Sequence, residues 1–394
     1  MKLKFAKGTI ESYIFFILSP LLSLPVVFYN LSKGNEYVSK LLIFLCSFIS
    51  FLYIPAFSND KMRYIERYVL FNSMNLDEYF RYLVLTKRPD FLLETSVFFS
   101  SKCNIPIEFL FFSVTYITLS LFFKVVGKMY VGKQYLFLIF VFFLAISFPN
   151  LFSGIRFYFG LSFVLFGVYE LFENKNFKKF LLFSGLGLLT HFSMSLVIMV
   201  SLITYTIKLP NLRGLFLLSL GFFFIPKSVL SEFINLLSFS EAYGNKASNY
   251  LGSDDPFNEE GNGLASIISF HGKLLWYYFL CVFFILKRRI TNSSWLTFLL
   301  LMAIIVNFTF AVPVVFFRYT LALKLIFLIV LLKDNNYSNH RRYFNVYIVL
   351  CVIGALIEVN QVRYNLVESL VKKENLFIHG ILQQRTDDKT YIDI

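Results

Sequence analysis

Apolar runs long enough to cross a lipid bilayer recur along almost the whole chain. A spanning helix needs about 20 apolar residues, and only a helix or a closed barrel satisfies its backbone hydrogen bonds inside lipid. Hydrophobic residues make up 57% of the sequence and charged residues 15%. With a mean hydropathy of +0.66, this composition is typical of polytopic membrane proteins. The sequence therefore predicts an all-α fold, a polytopic transmembrane helical bundle.

The apolar runs predict about twelve spans. Their expected ranges are 13–30, 40–57, 107–123, 134–150, 154–172, 178–190, 193–207, 214–230, 264–286, 294–312, 316–332 and 343–358. The run from Phe177 to Ile207 is too long for one straight span and short for two, so a break or a re-entrant segment is expected at Thr190–Ser193. A polar tail follows from residue 359. No soluble domain boundary is evident, so residues 1–394 are predicted to form one integral membrane domain.

Lysines and arginines concentrate in short loops on one side of the predicted bundle. Successive spans cross the membrane in alternating directions. If the 173–179 turn is cytoplasmic, the following basic loops therefore lie on the same side: 30–40, 124–133, 208–213, 287–289 and 333–342. Short basic loops mark the cytoplasmic face, so the polar segments 58–106 and 231–263 are expected to face outward. Residues 58–106 are expected to form interfacial helices. The N-terminal lysines do not fit, since they would lie outside. The net charge of +13 thus reflects topology, and no nucleic-acid partner is predicted.

Motifs for nucleotide, metal or serine-hydrolase chemistry are missing from the sequence. It contains no P-loop, no HExxH and no GxSxG. The cysteines lack metal-ligand spacing, and three of the four lie in apolar runs. We therefore predict no metal and no cofactor. The Gly185-Leu186-Gly187 triplet favours close helix packing over a ligand-binding loop.

Arg156 is the most unusual charge, because it opens a predicted span on the side that is poor in cations. Arginines at such positions are costly and often serve a ligand, and the planar guanidinium can engage two phosphate oxygens. His191 follows after two spans and a turn, so it is expected on the same face, where it could donate to phosphate or move a proton. Ser193 is a weaker candidate nearby. The alternatives are a snorkelling arginine and a histidine in an interhelical hydrogen bond.

Other candidate residues lie in the outer segments and in a later span. Arg318 and Tyr319 open the span after Pro313 and repeat the position of Arg156. Helical spacing places five chemically varied residues on one face of the first outer segment: Asp60, Arg63, Tyr64, Arg67 and Tyr68. Such a face could grip a sugar, although a salt-bridged interfacial helix would have the same pattern. Tyr250 in the second outer segment is a further substrate-binding candidate. Asp60, Asp90, Glu94, Glu241 and the acidic residues at 254–260 are all candidates for a general base.

The stretch IRFYFGLSFVLFGVYELFENKNFKKFLLFSGLGLLTHFS resembles the central signature of EpsG-like, Wzy-type polysaccharide polymerases. In that family an arginine begins one span, a basic turn follows, and a His-x-Ser ends the next span. The matching positions here are Arg156, Lys178–Lys179 and His191–Ser193. SNDKMRYIERY resembles the family segment that places Asp60, Arg63 and Tyr64, and FRYTL resembles a later segment that places Arg318. One departure is Gly160, where the family often has alanine.

The resemblance implies a multi-pass glycosyltransferase of the bacterial cytoplasmic (inner) membrane. It would be an O-antigen or capsule polymerase of lipopolysaccharide or related polysaccharide biosynthesis, joining undecaprenyl-diphosphate-linked repeat units on the outer face. The expected partners are the polyprenyl-diphosphate-linked oligosaccharide, membrane lipid and a chain-length regulator protein. Arg156 and Arg318 would stabilise the leaving diphosphate, and Asp60 or His191 would act as the base. The alternatives are a flippase or transporter of lipid-linked oligosaccharides and a membrane transferase that modifies a surface glycan.

Overall fold

The computed structural model describes residues 8–19, 23–53, 60–86, 91–130, 134–207, 212–224, 264–286, 293–310, 312–334 and 341–371. Every regular element in these ranges is a helix. Five of the described helices contain stretches long and apolar enough to cross a membrane: Ile107–Met129, Ile155–Phe172, Ile268–Leu286, Val315–Lys333 and Arg342–Gln361. The predicted all-α membrane fold is confirmed, whereas the number of twelve spans stays a prediction. Contacts divide the chain into two compact units.

The first unit begins with a short helical hairpin where the sequence predicts one span over 13–30. Helix α1 covers Thr9–Leu18 and α2 covers Leu24–Ser32. The Asn30 side chain at the end of α2 donates to the backbone oxygen of Gly8 at 3.2 Å and to Ser12 Oγ at 2.8 Å. These bonds bring the end of α2 back to the start of α1. The expectation of one span is therefore wrong, because the apolar run is divided between two helices of about half that length.

Three longer helices form the middle of the first unit. They are α3 (Ser39–Leu52), which follows a 3-10 turn at Glu36–Val38, α7 (Ile107–Met129) and α10 (Ile155–Phe172). Thr115 of α7 donates to Ser50 of α3 at 2.9 Å, and the rings of Phe122 and Tyr158 join α7 to α10 edge to face. Helix α3 runs opposite to α7 and α10, so its C-terminal end lies beside their N-terminal ends.

The segment 58–106, predicted to face outward, contains three helices: α4 (Asp60–Ser73) and α5 (Leu76–Thr86), which are amphipathic, and α6 (Phe91–Lys102). A capping box begins α5: Asn75 Oδ1 accepts from the Glu78 backbone N–H, and Glu78 Oε2 accepts from the Asn75 N–H. Buried aromatic rings hold the three helices together, with Tyr79 stacked on Phe98 at 4.1 Å. The described part of this segment is therefore helical, as the sequence predicts.

The remaining helices of the first unit lead into and out of a tight hairpin. Helix α8 covers Tyr135–Ala145 and α9 covers Phe148–Ser153, so the predicted span 134–150 is broken at Ser147. After α10, helix α11 (Phe177–Thr190) returns alongside it. Helix α12 begins at Met194, and the expected break at Thr190–Ser193 is confirmed.

The second unit includes α12 (Met194–Thr206) from Leu196 onward, and then α13 (Leu212–Ser219) and a 3-10 segment (Leu220–Phe224). The others are α14 (Leu264–Leu286), α15 (Ser294–Phe308), α16 (Pro313–Asp334) and most of α17 (Arg341–Val371). Buried Asn307 accepts from the Tyr277 hydroxyl and donates to Ser219 Oγ at 2.7 Å, which joins α14, α15 and α13. Helix α17 continues to Val371, past the expected start of a polar tail at 359. The predicted outer segment 231–263 lies outside the described residues.

Candidate functional site

Arg156 lies in the first turn of α10 and contacts Asp60, the first residue of α4. Gly154 separates α9 from α10, which begins at Ile155. The guanidinium Nη2 donates to Asp60 Oδ2 at 2.9 Å, and the two side chains are 18% and 20% exposed. The N-terminal end of a helix carries a partial positive charge. An anion at this end of α10 is therefore stabilised both by the helix dipole and by the Arg156 guanidinium.

Asp60 lies between two arginines. While Oδ2 accepts from Arg156, Oδ1 accepts from Arg63 Nη1 at 3.2 Å. Arg63 is much more accessible than Arg156, with 57% of its side chain exposed. The three side chains form a partly open cluster, here called the Arg–Asp–Arg cluster (Arg63, Asp60 and Arg156), whose formal charge is positive. Such a cluster can orient an arginine and still attract a phosphate group.

Lys61, which sequence reasoning missed, anchors this end of α4. Its side chain is fully buried, and Nζ donates to the backbone oxygens of Ser50 at 2.5 Å and Tyr53 at 3.0 Å. The ammonium also lies 4.6 Å from the centroid of the Phe111 ring. A cation at the C-terminal end of α3 is favourable because the last carbonyls have no partner within the helix. Lys61 shares one helical face with Tyr64 and Tyr68. This spacing is the sequence feature that could have predicted that Lys61 is buried.

Arg67 and Glu94 form a second, more deeply buried ion pair. Arg67 Nη1 donates to Glu94 Oε1, with the side chains 13% and 1% exposed. The Tyr64 ring lies 5.0 Å from the Arg67 guanidinium carbon and 5.9 Å from that of Arg156. Tyr64 is buried, so it packs beside the arginines and offers no open face to a sugar. Glu94, one of the candidate bases, is held in this ion pair.

The phenols of α4 and α5 are partly or fully buried. Burial, together with the nearby carboxylate of Glu108, raises the pKa of Tyr68 above its usual value. Burial likewise raises the pKa of Tyr79, which shares a hydrogen bond with Thr95 at 3.0 Å. A phenol is neutral near pH 7 even without these shifts, so both side chains can donate hydrogen bonds. Glu108, which is buried near Tyr68, was not singled out from the sequence.

His191 lies where α11 ends, close to α10. Its ring centroid is 6.2 Å from that of Phe157, and a Cβ built on Gly160 would lie 3.3 Å from His191 Cβ. His191 thus lies against Phe157 and Gly160. These two residues are within about one helical turn of Arg156 along α10. Ser193 is half-buried in the same break. Arg156 and His191 lie at the same end of the α10–α11 hairpin, whereas the basic turn lies at the other end.

The other candidate residues belong to other parts of the chain. Arg318 and Tyr319 are in the first turns of α16, in the second unit, where Tyr319 is buried. Tyr250 lies outside the described residues. The roles of these three residues stay predictions. Within the ranges that the structure describes, no three His, Cys, Asp or Glu side chains are grouped so as to hold a metal ion.

Comparison with known protein families agrees with the resemblance noted in the sequence. A family model described as the EpsG family matches residues 37–367, which is most of the chain and includes the Arg–Asp–Arg cluster, His191 and Arg318. No curated protein and no solved structure matches the chain. The family includes proteins similar to Wzy-type polymerases. With its helical fold and its apolar spans, the chain belongs to the EpsG family of membrane proteins of polysaccharide biosynthesis.

Proposed function

We propose that this protein is a glycosyltransferase that polymerises polyprenyl-diphosphate-linked oligosaccharide repeat units on the outer face of the bacterial cytoplasmic membrane. The observation that carries the proposal is the Arg–Asp–Arg cluster at the N-terminal end of α10. It combines a partly buried guanidinium, a carboxylate that orients it and an accessible second guanidinium. Membership of the EpsG family supports the same reaction class.

Arg156 would bind the diphosphate of the donor and stabilise its departure. In the reaction, the bond between the anomeric carbon of the growing chain and the diphosphate oxygen breaks. A hydroxyl of the acceptor sugar forms the new bond to that carbon, and negative charge develops on the leaving diphosphate. A guanidinium has five N–H donors, so Arg156 can bind Asp60 and phosphate oxygens together. Preformed donors of this kind stabilise developing charge effectively.

Asp60 and His191 would have different roles in this reaction. Both carboxylate oxygens of Asp60 accept from arginines, so we assign Asp60 to holding Arg156 in position. His191, which is half-buried at the end of α11, would accept the proton of the attacking hydroxyl. Arg63 would attract the incoming diphosphate, while Arg318 and Tyr319 stay candidates for further substrate contacts.

Deleting the gene and separating the surface glycan on a gel tests the proposed reaction. We expect the ladder of polymer lengths to collapse to a single repeat unit at the surface. Loss of a flippase would instead remove even the single unit from the surface. A normal ladder with altered sugars would show a modifying enzyme and would refute polymerisation.

Arg156→Lys in the same strain tests the site. Lysine keeps the charge but loses the planar pair of donors, so we expect most of the ladder to be lost. Arg81→Lys is the matched control, because Arg81 is an exposed residue of α5 and should support a full ladder. A wild-type ladder in Arg156→Lys would remove Arg156 from the site.

A further inference from the structure

A cavity of about 560 Å³ lies in the first unit, at the opposite end of the helices from Arg156. It is formed by the 3-10 turn at Glu36–Val38, the start of α3, the middle and C-terminal part of α7 and the first residue of α8. Tyr169, which contacts one of its lysines, lies roughly 20 Å along α10 from Arg156. The cavity is therefore separate from the Arg–Asp–Arg cluster and has no part in the proposed reaction.

Cations outnumber anions around this cavity. The lining includes three lysines, Lys40, Lys124 and Lys128, and one carboxylate, Glu36. The Tyr135 hydroxyl donates to that carboxylate at 3.1 Å. The other polar lining groups are hydroxyls, which donate hydrogen bonds to phosphate oxygens. An anion is the ligand that such a lining favours.

Two of these lysines are positioned by aromatic rings of α10. Lys124 Nζ lies 4.6 Å from the centroid of the Phe166 ring, and Lys128 Nζ lies 5.1 Å from that of Tyr169. Cation–π contacts of this kind restrict a long side chain without neutralising its charge. Lys128 also lies near the Glu170 carboxylate, which forms an ion pair with Lys179 at 3.4 Å. Lys124 and Lys128 are four residues apart on α7, so their side chains leave the same face of the helix and can approach the same ligand.

Apolar groups cover much of the wall between the charged ones. Ile43 and Phe123 line the cavity, and a Cβ built on Gly127 would meet no atom within 4 Å. A phosphate group joined to a hydrocarbon chain matches this combination of cationic and apolar surfaces. In addition, the lysines belong to loops that the sequence predicts to be cytoplasmic, and anionic lipids of that leaflet attract such basic residues.

We propose that this cavity is a binding site for the phosphate group of an anionic membrane phospholipid. Lys124 and Lys128 contact the phosphate, Lys40 adds charge, and the start of an acyl chain lies against Ile43 and Phe123. The full-length protein, in nanodiscs of phosphatidylcholine with or without phosphatidylglycerol, provides the test. Native mass spectrometry of the released protein counts the lipids that stay bound. We expect phosphatidylglycerol to be retained in preference to phosphatidylcholine.

Substitutions separate this site from general surface charge. The double variant Lys124→Gln/Lys128→Gln should weaken phosphatidylglycerol retention by about fivefold for each lysine. Gly127→Leu should reduce retention by filling the cavity while leaving every lysine in place. The control Lys33→Gln/Lys178→Gln removes the same charge from exposed positions outside the lining, and it should retain phosphatidylglycerol like the wild type.

Three results would overturn the proposal. Equal retention of the two lipids would show that the phosphatidylglycerol headgroup is not recognised. A control variant that loses as much binding as the lysine double variant would assign the effect to net charge alone. Displacement of the lipid by inorganic phosphate or glycerol 3-phosphate at low concentration would identify a soluble phosphate as the ligand. None of these results bears on the polymerase reaction, which the glycan ladder tests separately.

Discussion

Gly185 and Gly187 lie two residues apart on α11, and replacing each by alanine should have opposite effects on stability. A Cβ on Gly187 would lie 2.5 Å from Val164 Cγ2 and 2.9 Å from the backbone oxygen of Gly160. A Cβ on Gly185 would meet nothing within 4 Å. The close approach of α10 and α11 therefore depends on the absence of a side chain at Gly187 and not at Gly185.

The size of each effect follows from these distances. Alanine is favoured over glycine inside a helix by about 1 kcal/mol, which applies to both variants. At Gly187 the clash with the Gly160 backbone cannot be relieved by a rotamer change, and Val164 is stiff because it is β-branched. Overpacking of this kind costs about 1–3 kcal/mol. We expect Gly185→Ala to be neutral or slightly stabilising and Gly187→Ala to be less stable than it by about 2 kcal/mol or more.

Thermal unfolding of the purified protein in detergent, followed by the loss of monodisperse protein on size-exclusion chromatography, measures the difference. Gly187→Ala should unfold at a lower temperature than the wild type, and Gly185→Ala at the same or a higher temperature. Equal unfolding temperatures for the two variants would refute the close packing of α10 on α11. Because His191 ends α11, Gly187→Ala should also shorten the glycan ladder, whereas Gly185→Ala should not.

Further substitutions test the contacts around α4. Lys61→Met removes two bonds from the C-terminal end of α3 and should lower the free energy of unfolding by about 2 kcal/mol, measured by the same thermal assay. Glu94→Gln leaves the Arg67 charge poorly compensated and should lower the free energy of unfolding by about 3 kcal/mol. The double variant Arg67→Met/Glu94→Leu removes both charges and should lose less stability than Glu94→Gln alone. A larger loss in the double variant would contradict this reasoning. Tyr79→Phe removes the hydrogen bond to Thr95 and should cost about 1 kcal/mol, and an unchanged unfolding temperature would argue against that bond.

Gly160 illustrates how packing explains a departure from the family pattern. The resemblance implies that alanine is common at this position, whereas here a Cβ would lie 3.0 Å from Met194 Cγ and 3.2 Å from the Gly187 backbone oxygen. Glycines on facing helices allow the two backbones to approach closely. The sequence alone pointed to small-residue packing at Gly185-Leu186-Gly187, and the structure assigns that role to Gly187 together with Gly160.

Hydropathy and local spacing were enough to predict the membrane class, most helix-rich segments and the break before Met194. Transfer of a residue into lipid depends mainly on its own side chain, so a window of sequence carries that information. Hydropathy alone does not show whether an apolar run is one helix or two. In the run 13–30, Pro25 lies in the first turn of α2 and was a local sign of the division. The return of α2 to the start of α1 depends on bonds from Asn30 to Gly8 and Ser12, which join residues far apart in sequence.

The partners of the charged side chains depended on the tertiary structure. Sequence spacing placed Asp60 and Arg63 on one face of a helix, but the contact with Arg156 joins residues 96 positions apart. The same holds for Lys61, whose position in the chain resembles that of any interfacial lysine until the C-terminal end of α3 is placed against it. Which residues are charged, and on which side of the membrane they are expected, follows from the sequence. Which charges meet is determined by helix packing, because a long-range ion pair leaves no periodic signal in a single sequence.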